Sequence, residues 1–430
     1  MKYAEARALL DRLPRLEVKP GLERIRRLLD HLGHPEETFP SIHIAGTNGK
    51  GSVAAMLSSI LHEAGYRTGC FTSPDVVDFR DRIRIDGGWI SEEALASVVE
   101  RLLPVLVDSD DPPTLFEALT AVAFDDFAGS GVDIAVVEVG LGGRFDATNA
   151  VRPLLTILTN VDRDHLALLG DSLEQIAWEK AGIAKPDVPF LIGDLSAAVR
   201  SVVVEECRRV KARIMTGELP GVERENFNWE RATYWIHGGK ELPDRVHLSL
   251  LGSYQAENLR LVLAAVEILR KVDWGIPNDA ITRGLATVEW PCRFEVVRRD
   301  PTVVLDGAHN PAGVKALSTD IVRLVPDICR RHLLCGILAD KEVEAIGRTL
   351  FPLFDRITFT RSKSPRAASV EQLAKIASTL DVSSRGTTSV EEGLRVALER
   401  LIPQDTLLVT GSLTVTREAR PLLREAVCRH

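Results

Sequence analysis

A chain of 430 residues exceeds what a single hydrophobic core usually organises, so the sequence predicts two or three domains. Its 45% hydrophobic and 27% charged residues are ordinary for a packed protein and exclude a disordered or low-complexity polymer. A formal net charge of −8 excludes a general electrostatic affinity for nucleic acid, and the amino-terminal stretch has no apolar run long enough for a signal peptide or a membrane span. These features predict a cytoplasmic enzyme or binding protein without nucleic-acid or membrane partners. Cys70, Cys207, Cys292, Cys329, Cys335 and Cys428 lack C-x-x-C spacing, so they are expected as reduced thiols, neither zinc ligands nor a disulfide framework.

Taken in chain order, "ERIRRLL", Glu23 to Leu29, reads as a helix with a solvated basic face. After it, short β-branched runs alternate with longer amphipathic stretches, the pattern of parallel α/β layers. The first series of candidate strands is "SIHIAG" from Ser41, "TGCFTSP" from Thr68, "DIAVVEVG" from Asp133 and "LLTILTN" from Leu154. Between the second and third, "RIRIDGGWI" predicts a small hairpin turning at Asp86 and Gly87. Pro291 and the charged run Arg298 to Asp300 mark a linker. A second series follows: "TVVLDGAHN", "HLLCGILAD", "RITFTRS" and "DTLLVTGSL". The prediction is α/β throughout, with a nucleotide-binding domain over 1–296 built on a parallel-rich sheet, and a smaller carboxyl-terminal α/β domain over 297–430.

The stretch "HIAGTNGKGSVAAML" runs from an apolar strand through Gly46, Gly49 and Gly51 into a helix beginning near Ser52. Bare backbone amides and a helix amino end make an anion nest, Lys50 can neutralise phosphate charge, and Ser52 can approach a magnesium ion. The usual nucleotide loop, G-x-x-x-x-G-K-[ST], has Ser or Thr directly after its Lys, whereas Gly51 intervenes here. Ligands of open parallel sheets gather beyond the carboxyl ends of the strands. There the other strands deliver Ser73, Glu138, and the group Asn160, Asp162, Asp164 and His165, oxygen and imidazole donors suited to magnesium beside a triphosphate. In "DSLEQIAWEKAGIAKP", Ser172 and Gln175 have capping-box spacing and Gly182 is a helix stop. Lys180 therefore falls in the last turn, where a lysine complements the helix dipole. Thr114 and Glu117 of "TLFE" share the capping-box spacing. "VVLDGAHNP" sets Asp306, His309 and Asn310 at a strand end; a two-domain ligase needs such a second cluster to close over its substrates, and a turn capped by Asp306 and Asn310 gives the same pattern.

"GLERI", "IHIAGTNGKGSV", "FTSP", "VVEVGLGGRFDATN", "TNVDRDH", "EKAGIAK", "YQAEN", "CRFE", "LDGAHNP", "SPRA" and "GSL" occur in that order along nearly the whole chain. In this set the sequence resembles the folylpolyglutamate synthase/dihydrofolate synthase family, relatives of the Mur ligases, whose loop carries the extra glycine. The resemblance implies a Mur-ligase-like fold with a P-loop nucleotide domain and a smaller Rossmann-like carboxyl-terminal domain. It implies that Asn48, Gly49, Lys50, Gly51 and Ser52 hold the ATP phosphates, with Asn258, Arg293 and Asp306 completing the nucleotide site. Ser73, Glu138 and His165 match positions that hold one or two Mg2+ ions, and Lys180 matches a lysine carried as a carbamate, which displaces the dipole reading. Thr114, Leu115, Phe116 and Glu117, with Phe145, Asp146 and Ala147, match stretches lining the pterin site. Lys50, Lys180 and His309 are the residues expected to act in catalysis, His309 or Asp306 by placing the incoming amine.

The implied activity is ATP-dependent addition of L-glutamate to dihydropteroate and to tetrahydrofolate or its derivatives through an acyl phosphate, by a monomer. Retention of both "GLERI" and "TLFE" favours the bifunctional reading over folylpolyglutamate synthase alone. A peptidoglycan-precursor Mur ligase is disfavoured because about forty-five residues before the loop are too few for the extra domain those enzymes carry. A nucleotide-binding relative without catalysis is disfavoured by the presence of Lys50, Ser52, Glu138, His165 and Lys180. Three residues depart from the family pattern: Asp75 and Tyr254 stand where relatives have His, and Cys292 where they have Gly.

Overall fold

The computed structural model describes residues 1–14, 21–107, 111–215, 219–239 and 241–427; Cys428 lies outside them. The chain divides into two compact units. The first comprises Met1–Glu223, Tyr234–His247 and Ala256–Val288, and the second Arg224–Thr233, Leu248–Gln255 and the residues from Glu289 onward. The boundary expected near residue 296 falls inside a strand, Glu295–Arg298.

The first unit is built on β1 (Ser41–Ala45), β2 (Thr68–Phe71), β3 (Ile83–Ile85), β4 (Gly88–Trp89), β5 (Ile134–Glu138), β6 (Leu155–Leu158), β7 (Pro189–Ile192) and β8 (Arg213–Ile214). Their order across the sheet is β4-β3-β2-β5-β1-β6-β7-β8. The pairs from β2 to β8 are parallel, and β3 and β4 form an antiparallel edge. β1, β2, β5, β6 and β7 are buried along their whole length, since helices cover both faces of a parallel sheet, and they read as apolar-rich runs in which Ser41, His43, Thr68 and Thr156 are buried polar exceptions. The hairpin turns where expected, with Asp86 at φ 52 and Gly87 at φ 80, the left-handed pair that a tight type I′ turn requires. β7 and β8 were not among the expected strands; a four-residue run led by proline and a two-residue run give no periodicity to read.

On one face of this sheet, the helices Tyr3–Arg12, Glu23–Leu32, Glu92–Val107 and Leu115–Ser130 enclose a core in which Phe39 meets Phe124 and Phe127 edge-on, with centroids 5.9 and 5.8 Å apart. The helices Leu173–Ala181 and Ala197–Val210 enclose a second core with Ala45, Leu158, Phe190 and Ile192. The basic helix face is not fully solvated as its composition suggested. Arg24 is 6% exposed, and its Nε donates to both carboxylate oxygens of Glu117 at 3.0 and 3.2 Å. The buried carboxylate at the start of the neighbouring helix draws the guanidinium inward, because a lone buried charge is far costlier than a paired one.

A three-stranded sheet of β9 (Gly221–Phe227), β10 (Ala232–His237) and β11 (Arg245–Leu248), in the order β11-β10-β9, takes residues from both units. The second unit contains β12 (Glu295–Arg298), β13 (Thr302–Leu305), β14 (Arg331–Cys335), β15 (Arg356–Phe359), β16 (Ser384–Gly386) and β17 (Thr406–Thr410), ordered β12-β13-β17-β14-β15-β16. The four strands expected here are β13, β14, β15 and β17, all parallel to their neighbours in this set. The stretch expected as a linker supplies β12, antiparallel on β13. Cys70, Cys207, Cys292, Cys329 and Cys335 are free thiols, and no described helix is long and apolar enough to cross a membrane.

The buried ion pair gives a direct test. Arg24→Met, which strands the Glu117 carboxylate, is expected to lower unfolding free energy in urea by about 3 kcal/mol. Arg24→Met combined with Glu117→Gln should lose less than Arg24→Met alone, since no uncompensated buried charge remains.

Candidate active site

β2, β5, β1 and β6 are neighbours in the sheet, so their carboxyl ends and the loops that follow lie side by side. The loop after β1 is laced to the exit of β6. Thr47 N donates to Asn160 O at 3.1 Å, Asn48 N to Asn160 Oδ1 at 2.8 Å, and Thr159 Oγ1 to Asn48 O at 2.7 Å. Thr47 Oγ1 donates to Asp162 O at 3.1 Å. This lacing needs glycine at two points. A Cβ on Gly46 would stand 1.8 Å from Thr159 Oγ1, and Gly49, at φ 85, would place one 2.3 Å from Asn258 Oδ1. Gly49 is the residue before the helix Lys50–Glu63, so Lys50, Gly51 and Ser52 form its first turn, and the intervening glycine lies on the helix rather than in the loop.

Glu138 closes β5 in register with Ile44 of β1 and is 4% exposed. Its Oε2 accepts from Ser73 N at 3.2 Å, and its Oε1 lies 3.9 Å from Lys50 Nζ. Lys50 Nζ donates to the carbonyls of Gly46 and Thr47 at 3.1 and 3.3 Å. Lys180 Nζ donates to the same Gly46 carbonyl at 2.9 Å and is 4% exposed. The lysine that sequence pattern assigned to the helix dipole thus turns inward, away from its own helix end. Burial, with the Lys50 charge adding to it, pushes its ammonium from 10.5 down to about 7.

His165 precedes the short helix Leu166–Leu169 at φ 53; its N donates to Asp164 Oδ1 at 2.9 Å, and its Nε2 lies 3.8 Å from Asp164 Oδ2. Among the described residues, one group of three His, Cys, Asp or Glu side chains has ligand atoms within 4.8 Å of one another, namely His34, Glu36 and Glu37. Glu138 and His165 are not in such a group, and the remaining candidate donors, Ser73 and Lys180, are of other types. Asn160, read as a ligand from its strand-end position, serves as a clamp on the loop.

The candidate substrate segments are held by their own polar groups. Thr114 Oγ1 accepts from Glu117 N at 3.2 Å and Thr114 N donates to Glu117 Oε2 at 2.7 Å, closing the expected capping box. Asp146 caps the short helix Ala147–Ala150, accepting from Leu141 N at 2.8 Å, Thr148 N at 3.0 Å and Thr148 Oγ1 at 2.5 Å. Leu115 and Ala147 are buried. Phe116 packs 5.7 Å from Phe71, and Phe145 is 46% exposed, so these two rings offer the apolar surface of the set.

In the second unit, Asp306 at the exit of β13 accepts from Phe294 N and Ala308 N, both at 2.8 Å, and from Tyr254 OH at 3.3 Å. Burial raises both the Asp306 carboxyl and the Tyr254 phenol above their ordinary values. Arg293 sits between Cys292 at φ 58 and Phe294 at φ 47, two left-handed non-glycine residues that fix its place in the chain. His309 Nδ1 lies 2.8 Å from Gly307 O, and Asn310 caps the helix Pro311–Leu324 as expected. Asp75, beside Ser73, is engaged by Arg82, whose Nε and Nη2 donate to Oδ1 at 3.0 and 2.5 Å.

Residues 44–266 match the Mur ligase middle domain, and residues 292–413 match the family described as Mur ligase, glutamate ligase domain. The chain is 34% identical to a dihydrofolate synthase/folylpolyglutamate synthase of Bacillus subtilis, over 98% of this chain and 99% of that protein. It is 38% identical to a probable bifunctional folylpolyglutamate synthase/dihydropteroate synthase of Haloferax volcanii; the match covers 99% of this chain but about half, 51%, of that longer relative. Among solved structures, Escherichia coli FolC in complex with DHPP and ADP superposes with a TM-score of 0.87 at 28% identity, over 99% of each chain.

Two outcomes follow from this geometry. Because the Lys180 amine is at about 7 in the folded chain and 10.5 when exposed, the folded state binds fewer protons between those values. Its destabilising contribution is full below pH 7, shrinks as pH rises, and vanishes above 10.5, with a slope approaching about 1.4 kcal/mol per pH unit. Urea titrations at pH 7, 8 and 9 should therefore show wild type gaining stability relative to Lys180→Met. Separately, Gly49→Ala should weaken ADP binding at least about tenfold by calorimetry, since the new methyl group must displace Asn258 or the loop.

Proposed function

The chain belongs to the folylpolyglutamate synthase/dihydrofolate synthase family of Mur ligases, and from that premise we propose that it joins L-glutamate to dihydropteroate and to tetrahydrofolate by ATP-driven amide formation. The observation that carries this reading is the convergence of Lys50 and Lys180 on the Gly46 carbonyl, beside Glu138, in a loop already laced to β6. A loop held in this way presents its amides and the first turn of a long helix to phosphate without reorganising on binding.

In the proposed reaction a substrate carboxylate oxygen attacks the γ-phosphorus of ATP, the bond to the β-phosphate oxygen breaks, and ADP leaves. The nitrogen of glutamate then attacks the acyl phosphate carbon, loses a proton, and expels inorganic phosphate. The backbone of Asn48 to Ser52 and the Lys50 ammonium offset the charge that spreads over the transferred phosphoryl group. Asn258, beside Gly49, extends the nucleotide site, and in the second unit Arg293 and Asp306 are the proposed nucleotide contacts, with His309 or Asp306 orienting the amine. Phe116 and Phe145 provide flat apolar surface for the pterin, while Thr114, Leu115, Glu117, Asp146 and Ala147 hold the shape of its two lining segments.

Ser73, Glu138 and His165 would hold one or two Mg2+ ions together with a carbamate on Lys180. The buried carboxylate and the hydroxyl suit a hard cation, with the imidazole as a further donor, and an amine brought down to about 7 is about half in the neutral form that adds CO2 at pH 7. Bound magnesium supplies positive charge to phosphate oxygens. We place the enzyme in the cytoplasm as a monomer.

The test is phosphate release by the purified protein with ATP, Mg2+ and L-glutamate, with 7,8-dihydropteroate, with tetrahydrofolate, or with neither. Release with both pterins, matched by glutamylated products in mass spectra, is the expected outcome. Release with tetrahydrofolate alone would restrict the chain to tail extension, and silence with both from protein that binds ADP would overturn the assignment.

A further inference from the structure

The carboxyl end of the helix Leu173–Ala181 presents a problem that Lys180 does not solve. The last carbonyls of a helix have no intrahelical partner and carry partial negative charge, which draws a cation from the last turn. Lys180 is that cation by position, yet its amine is turned to Gly46. Gly182 N donates to Glu179 O at 3.2 Å, and the rest of the helix end is served from another segment. Arg144 N donates to Glu179 O at 2.9 Å, and Arg144 Nη2 donates to Trp178 O at 3.0 Å. Asn149 Nδ2 ties the two chains together, donating to Arg144 O at 2.9 Å and Gly182 O at 3.1 Å.

The guanidinium is fixed on both sides. Its carbon stands 3.6 Å from the centroid of the Trp178 ring, and Nη2 pairs at 2.7 Å with Glu206, a carboxylate 3% exposed on the helix Ala197–Val210. Two glycines permit the approach. A Cβ on Gly143 would come within 2.9 Å of Lys180 O, and one on Gly182 within 2.4 Å of Arg144 Cβ. Arg144 therefore occupies the place at the helix end that Lys180 would otherwise take.

We propose that Arg144, anchored by Glu206 and Trp178, is a positioning residue: by supplying the cation and donors at this helix end it keeps the Lys180 amine directed into the site at Gly46. Where Lys180 is carbamylated, the inference rests on the function proposed above; the direction of the amine itself does not. Without the Arg144 guanidinium, the Trp178 carbonyl loses its donor and the helix end its cation, while Glu179 O keeps the backbone N–H of residue 144; the Lys180 amine is then drawn from the interior toward its own helix end.

Two readouts separate the inference from that function. The first is brief acylation of the folded protein with acetic anhydride, quantified at Lys180 and Lys50 by peptide mass spectrometry. In Arg144→Met, labelling of Lys180 should rise at least fivefold over wild type while Lys50 stays unchanged; equal rises at both would report general loosening and overturn the proposal, as would no change at Lys180. The second is a 13C carbamate resonance from protein in 13C-bicarbonate, assigned by its loss in Lys180→Ala. It should fall at least fivefold in Arg144→Met, and an undiminished signal would overturn the proposal. If wild type gives no such resonance, the carbamate reading fails while the acylation result still decides the role of Arg144. Should Arg144→Met not fold, Glu206→Gln, which removes the anchoring charge and keeps the shape, is expected to shift Lys180 labelling in the same direction by at least twofold. Unchanged labelling in Glu206→Gln would then overturn the proposal.

Discussion

Two ammonium groups share one carbonyl oxygen, that of Gly46, and much of the first unit is arranged around that arrangement. Two like charges drawn to one acceptor in a buried place cannot both be fully charged without cost, and the cost falls on the more buried of them, Lys180. Glu138, close to Lys50, compensates one of the two. The site is thus electrostatically biased toward a further anion. Phosphate oxygens at the loop, or an added carboxylate on the amine itself, satisfy that bias, and the residues need no large movement to receive them.

The bias depends on a loop that cannot relax. A glycine-rich turn left to itself would fill its anion nest with water and fluctuate. Here Thr159 and Asn160 occupy three of its polar groups, and the neighbouring strand exits fix the direction from which those side chains reach. Gly46 and Gly49 are required by these close approaches as well as by backbone conformation. The order β2-β5-β1-β6 then puts Ser73, Glu138, the loop and Asn160 at adjacent strand ends, although together they span more than a hundred residues of sequence. Topology gathers what the chain disperses.

The sequence made the parallel strands legible where burial on both faces produced short runs dominated by apolar and β-branched residues, as in β1, β5, β6 and β13. It was silent on β7, β8 and β16, which are too short to show a period, and it placed β12 in a linker because an edge strand needs no such run. The capping boxes at Thr114 and Ser172 were legible because they are local, set by spacing three residues apart. Arg24 and Lys180 were misread by pattern for the opposite reason: what turns each inward is a partner far away in sequence, Glu117 for one and Gly46 for the other. The resemblance marked Lys180, yet nothing local to "EKAGIAK" says where its amine points. The roles of Asn160 as clamp and Arg144 as helix-end donor were likewise invisible, since each consists of contacts to another segment's backbone.

The three departures from the family pattern are absorbed locally rather than left exposed to the chemistry. Asp75 adds a carboxylate next to Ser73, but Arg82 takes it in a double hydrogen bond, so its charge is largely cancelled within the same loop. Tyr254, where the resemblance leads to an expected His, is a phenol that donates to Asp306, and the Arg293 charge also favours that carboxylate. Cys292 takes a left-handed conformation that glycine would adopt without strain, and its side chain is buried. Each substitution changes how a functional residue is held and leaves in place the group that touches phosphate, metal or substrate in the proposed reaction. In the proposed reaction such differences alter the rigidity and charge of supporting groups while the charges that stabilise phosphoryl transfer remain.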